Sequence, residues 1–341
     1  VTNSEVAAPI RRRPTIRDVA AAAGVSRGTV SRVINGGHWV SPPAREAVEK
    51  AIATTGYRAN QHARSLVTGR SNSLAFLLTE PQDRLFADPT FPLLLRGAAE
   101  ALTTRSMTLV VLVAGTPTER TNAADYIAAG HVDGVLLISS HESDPMLSLL
   151  LDLHVPTVTC GVPLGYAGRV PSVSVAEANS AHTMVAHLRE RGRRRIAMIT
   201  GPLDTPGGRY RLEGYREELG ADYDASLVVH GDWTQDSGTA GMEELLRRAP
   251  DVDAVFAASD LMAAGAMIAL GRAGRRIPED VALAGFDDSG LAQALDPALT
   301  TMRQPFDDIS AEMVDTLLGM IDDGPVRSVT LPATLVVRDS T

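Results

Sequence analysis

Four side chains in the C-terminal part of the chain have the types needed to hold a small polar molecule. Asp204, Arg211, Trp233 and Asp287 each stand at or soon after the end of a predicted strand. In open α/β sheets, ligands bind beyond the carboxyl ends of the strands. A guanidinium and a carboxylate can grip vicinal hydroxyls through charge-assisted hydrogen bonds, and an indole face can cover the C–H side of a sugar ring. Two plainer readings stand beside this one: Arg211 and Asp287 as an ion pair that closes a cleft, and Trp233 as a core residue. A second set does different chemistry. Arg27 and Arg32 lie near the start of a helix that follows Gly24-Val25-Ser26, where they can reach base edges in a DNA major groove.

The elements that position those two arginines are legible between residues 15 and 70. Thr15 has the chemistry of an N-cap, and Asp18 three residues on completes a capping-box-like pattern. Val19, Ala20 and Ala23 form an inward stripe, and Gly24 permits the left-handed backbone that ends a helix. Val25 is the apolar residue of the turn. Ser26 caps the next helix, whose Val30 and Val33 or Ile34 turn inward, leaving Arg27, Gly28, Ser31 and Arg32 outward. Ser41 and Pro42 open a third helix and Gly56 ends it. Residues 60–69 have an N-cap, one or two helical turns and a closing glycine, a segment too short to be stable alone in water.

Charge separates the same region from the rest. Residues 1–70 carry eleven basic and four acidic side chains, a net of +7, whereas the whole chain is −9, which leaves −16 for the remainder. A basic segment on an acidic protein, coincident with a helix-turn-helix pattern, is the footprint of a nucleic-acid reader.

Beyond residue 72, predicted strands alternate with helical patterns. Strands are expected at 73–79, 108–113, 134–138 and 157–160, with helices such as 93–103 and 119–129 between them. The cycle restarts at 172–175 and continues through strands at 196–200, 227–230, 254–257 and 281–286. Alternation of this kind predicts parallel sheets covered by helices, here as two similar subdomains with a cleft between them.

The chain resembles the lactose-repressor/galactose-repressor family of bacterial transcription regulators. The match rests on the D-V-A-x-x-A-G-V-S-x-x-T-V-S-R-V-x-N block from Asp18 to Asn35, V-S-x-x-x-R-E from Val40 to Glu46, Gly56-Tyr57, and N-x-x-A-R-x-L from Asn60 to Leu66. It covers nearly all of the chain after residue 14. The resemblance implies an all-α helix-turn-helix domain joined to an α/β effector domain like the periplasmic sugar-binding proteins, with two parallel-sheet subdomains. The expected organisation is a flexible basic arm (1–14), the DNA-binding domain (15–59), a hinge helix (60–71) and the effector domain (72–341). Subdomain 1 is expected at about 72–171 and 305–330, and subdomain 2 at about 172–304 and 331–341.

It further implies which residues meet each partner. Base and phosphate contacts to a pseudo-palindromic operator would come from Thr15, Ser26, Arg27, Thr29, Ser31, Arg32, Asn35, Tyr57 and Asn60. Gly28 stands where many members place a reading side chain. Ala63 would let two hinge helices approach, and Leu66 would wedge into the minor groove between base pairs. Arg211 and Asp287 match effector-clamping residues, Trp233 an aromatic that packs on a sugar ring, and Asp204 completes the set with Ser259. Ser259-Asp260 stands where Asn-Asp is usual, Gly161 where several members carry an aspartate, and Ala176 where an aspartate is usual, departures expected to leave the pocket roomier and less polar. The expectation is therefore a homodimeric repressor released by a carbohydrate, with a purine- or nucleoside-dependent corepressor as the alternative. No C-terminal leucine heptad of the kind found in tetrameric members precedes Thr341.

Other classes are disfavoured. The string Gly24-Val-Ser26-Arg-Gly28 matches a nucleophile elbow, but that motif needs a preceding strand, and here it lies between two capped helices. No phosphate-binding loop, dinucleotide fingerprint or zinc-protease motif is present, the histidines lack metal-ligand spacing, and no cofactor is expected. The single cysteine, Cys160, excludes an intrachain disulfide. No apolar run approaches a membrane span and no signal peptide is evident, so a cytoplasmic location is expected and an exported sugar-binding protein is disfavoured.

Overall fold

Three short helices pack around a core built almost wholly from valine and alanine in the first of two units, Val1–Ser71 and Asn72–Thr341, of a computed structural model. The structure describes residues 12, 14–34, 39–57, 70–142 and 144–341. The hinge segment 60–69 lies outside the described residues, as do Asn35 and most of the expected arm.

In the first unit the helices are α1 (Ile16–Ala23), α2 (Arg27–Ile34) and α3 (Pro42–Thr55). Val19, Val30 and Val48, one from each, are fully buried, and Ala20, Val33 and Ala51 complete the core. Val25 and Tyr57 pack half-buried against it. Gly24 and Gly56 both take φ +66°, and their N–H groups bond back to the carbonyls of Ala20 and Ile52. At the start of α1 the Asp18 carboxylate accepts from the Thr15 N–H (2.7 Å) and from its hydroxyl (2.8 Å). Ser26 caps α2, its oxygen accepting the Thr29 N–H at 3.1 Å. Ser41 sits at the N-cap of α3, but its side chain makes no cap bond.

The second unit holds two six-stranded sheets. In chain order the strands are β1 (Ser73–Leu78), β2 (Thr108–Val113), β3 (Gly134–Ile138), β4 (Thr157–Cys160), β5 (Ser172–Val175), β6 (Ile196–Thr200), β7 (Val228–His230), β8 (Ala254–Ala257), β9 (Ala282–Asp287), β10 (Thr300–Arg303), β11 (Val329–Leu331) and β12 (Thr334–Val336). The first sheet runs β11-β5-β4-β3-β1-β2 and is parallel throughout. The second runs β12-β10-β9-β8-β6-β7 and is parallel except for β12, which is antiparallel to β10. The central strands are buried along their whole length, as a sheet covered on both faces requires.

Two expected boundaries move. Strand β5 was expected to open subdomain 2 at residue 172, but it pairs with β4 through Thr159↔Ser172 and belongs to the first sheet. The chain crosses at Ala176, after which the helix Glu177–Glu190 packs on the helix Pro206–Leu219. The boundary expected at 330/331 falls inside β11, so the last crossing lies at residues 332–333, between β11 and β12. The reason is common to both: a four- or three-residue strand shows its alternation but not its partner, which the pairing alone decides. Between these crossings, helix Phe306–Ile321 returns to pack on helix Thr90–Thr103 and on the first sheet.

Candidate functional site

On the outer face of α2, Arg27 and Arg32 are exposed, and neither is tied down by a hydrogen bond or ion pair among the described residues. The Ser26 and Thr29 hydroxyls bond to each other at 3.0 Å, so one of their two O–H hydrogens remains for a phosphate oxygen. Gly28 is exposed between them, and an added Cβ there would meet only the Ser26 hydroxyl, at 3.6 Å. Tyr57 is used mainly in packing. Asn35, Asn60, Ala63 and Leu66 lie outside the described residues.

In the second unit a cleft opens at the carboxyl ends of the strands of both sheets. From the second sheet come Arg211, Trp233, Ser259, Asp287 and Gln304. Arg211 is buried, and its guanidinium is held on every side. Nε and Nη2 donate to the two carboxylate oxygens of Glu177 (2.6 and 3.3 Å), and Nη1 donates to the Ala258 carbonyl (2.5 Å) and lies 3.7 Å from Asp287. Its carbon sits 3.6 Å from the centre of the Phe286 ring and 5.5 Å from that of Trp233. Asp287 accepts from the Gln304 amide at 2.7 Å. Burial pushes its carboxyl well above the usual range; Arg211 pulls it back and nearby Asp260 pushes it further up.

Trp233 sits at φ +70° on Gly201: a Cβ built there would lie 2.1 Å from the indole. Gly201 is thus the floor of the ring. Gly201→Ala is expected to displace Trp233 and to weaken a ring-stacked ligand at least about tenfold, measured by titration calorimetry. Wild-type affinity in that variant would show that the indole is not a ligand platform. Ser259 lines the cleft and its oxygen also caps the next helix, accepting the Met262 N–H at 3.2 Å, which leaves its O–H to donate.

The other wall escaped the sequence reading. It comes from the ends of β1 and β3 and includes Glu80, Arg84, Asp88, Ser139 and Ser140. The same strand-end rule that marks Asp287 also marks Glu80 and Ser139, which follow β1 and β3. Glu177 and this wall put polar groups into the cleft alongside Gly161. Asp204, expected in the pocket, does not line it. Its carboxylate accepts from His141 Nδ1 at 2.9 Å, while His141 Nε2 lies 3.0 Å from Glu80. The loop after β3 thus reaches across to the second sheet, reinforced by Arg209 on Glu142 (2.6 Å) and by Arg84 on the Asp232 carbonyl (2.7 Å). The expected reach of Asp204 fails because the facing loop claims it.

Hydrogen bonding to Glu80 raises the His141 pKa to about 9 against the opposing effect of its burial, with Asp204 adding to the rise. A raised folded-state value gives stability that is complete below about 6.5 and lost as pH rises through about 9. The wild-type melting temperature is expected to fall more steeply between pH 7 and 10 than that of His141→Asn. Parallel curves would show that this bridge contributes nothing.

Comparison with known proteins fits this arrangement. Residues 15–60 match the model described as bacterial regulatory proteins, lacI family, and residues 185–341 match a periplasmic binding protein-like domain. The chain is 46% identical over 338 residues to the HTH-type transcriptional regulator CelR of Thermobifida fusca, covering 97% of this chain and 99% of that one. The chain belongs to the lacI family of bacterial regulatory proteins. It is a DNA-binding transcriptional regulator. Among solved structures it is similar to a CelR–cellobiose complex, at 44% identity and a TM-score of 0.77, covering 96% of this chain and 100% of that one. It is also similar to the lac repressor dimer bound to operator and the anti-inducer ONPF, at 27% identity and a TM-score of 0.84, covering 97% and 99%. No helix among the described residues is long and apolar enough to cross a membrane.

Proposed function

We propose that the chain is a repressor that binds a two-fold operator as a homodimer and is released by a neutral sugar of the cellobiose type. The observation that carries this is the clamp of the second sheet: a buried guanidinium matched by carboxylates, beside an indole seated on glycine. The cleft is lined by four carboxylates, Glu80, Asp88, Glu177 and Asp287, against two guanidiniums, Arg84 and Arg211. An anionic ligand such as a sugar phosphate would meet a net negative wall, whereas a polyol finds donors, acceptors and an aromatic face. The similar CelR structure holds cellobiose. We assign no catalysis to the cleft: its one thiol, Cys160, is pushed up to about 12 by burial and stays protonated. A DNA partner supports a cytoplasmic location.

A ligand that grips both sheets favours one cleft angle. Coupling of this kind is typically worth about 1–3 kcal/mol and is reciprocal between the two ligands. The test is a gel shift on an operator selected from random duplexes, against cellobiose, other sugars, nucleosides and purines. Release by cellobiose is expected. Tightening by a purine, with no response to sugars, would replace this reading with the corepressor one.

A further inference from the structure

Two residues in succession at the end of β9 carry left-handed backbone: Asp287 at φ +119° and Asp288 at φ +53°. Residues other than glycine rarely adopt such angles, which persist only where the surroundings hold them. This turn sets the direction of the Asp287 side chain. Asp260, the first residue of the helix Asp260–Arg272, supplies a hold. It is 1% exposed and is not among the residues that line the cleft. One carboxylate oxygen accepts the Asp288 N–H at 2.7 Å, and the backbone of Ser289 also bonds to the carboxylate. The other oxygen accepts the Thr301 hydroxyl at 2.6 Å. Thr301 stands on β10 opposite Gly285 of β9. The carboxylate reaches it over β9, and a Cβ on Gly285 would collide with the same oxygen. The helix already has its cap in Ser259, so capping does not account for Asp260. On the outer side of the turn, the Asp288 carboxylate accepts from Arg303 and Arg338, each at 2.7 Å. Burial pushes the Asp260 carboxyl up to about 7, with the bonds from Thr301 and Asp288 opposing the rise.

We propose that Asp260 is a positioning residue for effector binding: it touches no ligand, and it fixes the turn that presents Asp287 to the bound molecule. Binding then depends on Asp260 only through Asp287. What the turn requires is an acceptor for its backbone N–H groups, not a charge. Asparagine can serve, its oxygen taking those N–H groups while its amide donates to the Thr301 hydroxyl, which rotates to accept. Alanine leaves the buried N–H groups and the Thr301 hydroxyl without their partner. The inference deepens the sugar-clamp reading above and rests on it.

The test is a double-mutant cycle read by titration calorimetry of the full chain with cellobiose. Asp260→Ala is expected to weaken cellobiose at least about tenfold. In an Asp287→Asn background the same substitution should change affinity less than about twofold. Asp260→Asn should bind within about threefold of wild type. Amide exchange of the ligand-free chain gives a second readout: protection of the turn at 287–290 should fall in Asp260→Ala and persist in Asp260→Asn. Where Asp260→Ala does not fold, Thr301→Val takes its place in the cycle, with a loss of about threefold expected only when Asp287 is intact. Equal losses in both Asp287 backgrounds overturn the inference, because Asp260 then acts elsewhere. So does Asp260→Asn binding as poorly as Asp260→Ala, or unchanged protection of the turn in Asp260→Ala. Wild type that ignores cellobiose overturns the proposed function instead, and the exchange measurement still decides whether Asp260 holds the turn.

Discussion

Arg211→Ala is expected to abolish the response to effector and to destabilise residues 72–341 by roughly 3–5 kcal/mol. The size follows from what the substitution leaves behind. Glu177 loses both of its bonds to the guanidinium, and Asp287 loses the cation that opposes its burial. The Ala258 carbonyl loses its side-chain donor. Breaking a buried pair by removing one partner is far costlier than removing both. Asp287→Asn separates ligand recognition from stability. It removes the charge, keeps an acceptor for Gln304, and suits a backbone at φ +119°, where asparagine is better tolerated than most residues. This variant should melt near wild type, bind operator and respond weakly to sugar. Melting curves and gel shifts with and without cellobiose provide the check. A full sugar response in Arg211→Ala would place the ligand elsewhere.

Arg32→Ala is expected to weaken binding to the selected operator on the order of ten- to a hundredfold, with a much smaller loss on random duplex. The side chain is exposed on α2, and that helix is capped independently by Ser26, so truncation leaves the fold intact. The specific loss would come from a bidentate contact of the guanidinium to a guanine edge; Gly28, four positions before Arg32 on the same helical face, offers no side chain. The operator should therefore be permissive at one base pair beside the Arg32 contact. Competition binding at fixed salt separates the two terms. Equal losses on operator and random DNA would make Arg32 a phosphate contact.

The N-terminal unit was readable because its determinants are local. A cap, a glycine in the left-handed region and apolar residues at helical spacing act within a few residues of one another, and the structure keeps Ser26, Gly24 and Val30 in those roles. Asp18 likewise completes the capping box with Thr15, its carboxylate accepting the Thr15 N–H.

The effector unit was readable only where chemistry coincides with a strand end. The sequence by itself determined the alternation of strands and helices and marked Arg211, Trp233 and Asp287, because each carries a group that is costly to bury without purpose. Tertiary structure decided the rest. It assigned β5 to the first sheet, since a short strand has no intrinsic partner. It gave Arg211 to Glu177, thirty-four positions away. It took Asp204 out of the pocket and joined it to His141, sixty-three positions away. It also set Ser140 and Arg84 against the clamp of the other sheet. Such juxtapositions depend on where crossings between sheets fall, and crossings are set by pairing and packing over the whole unit, which leave no mark on the residues nearby.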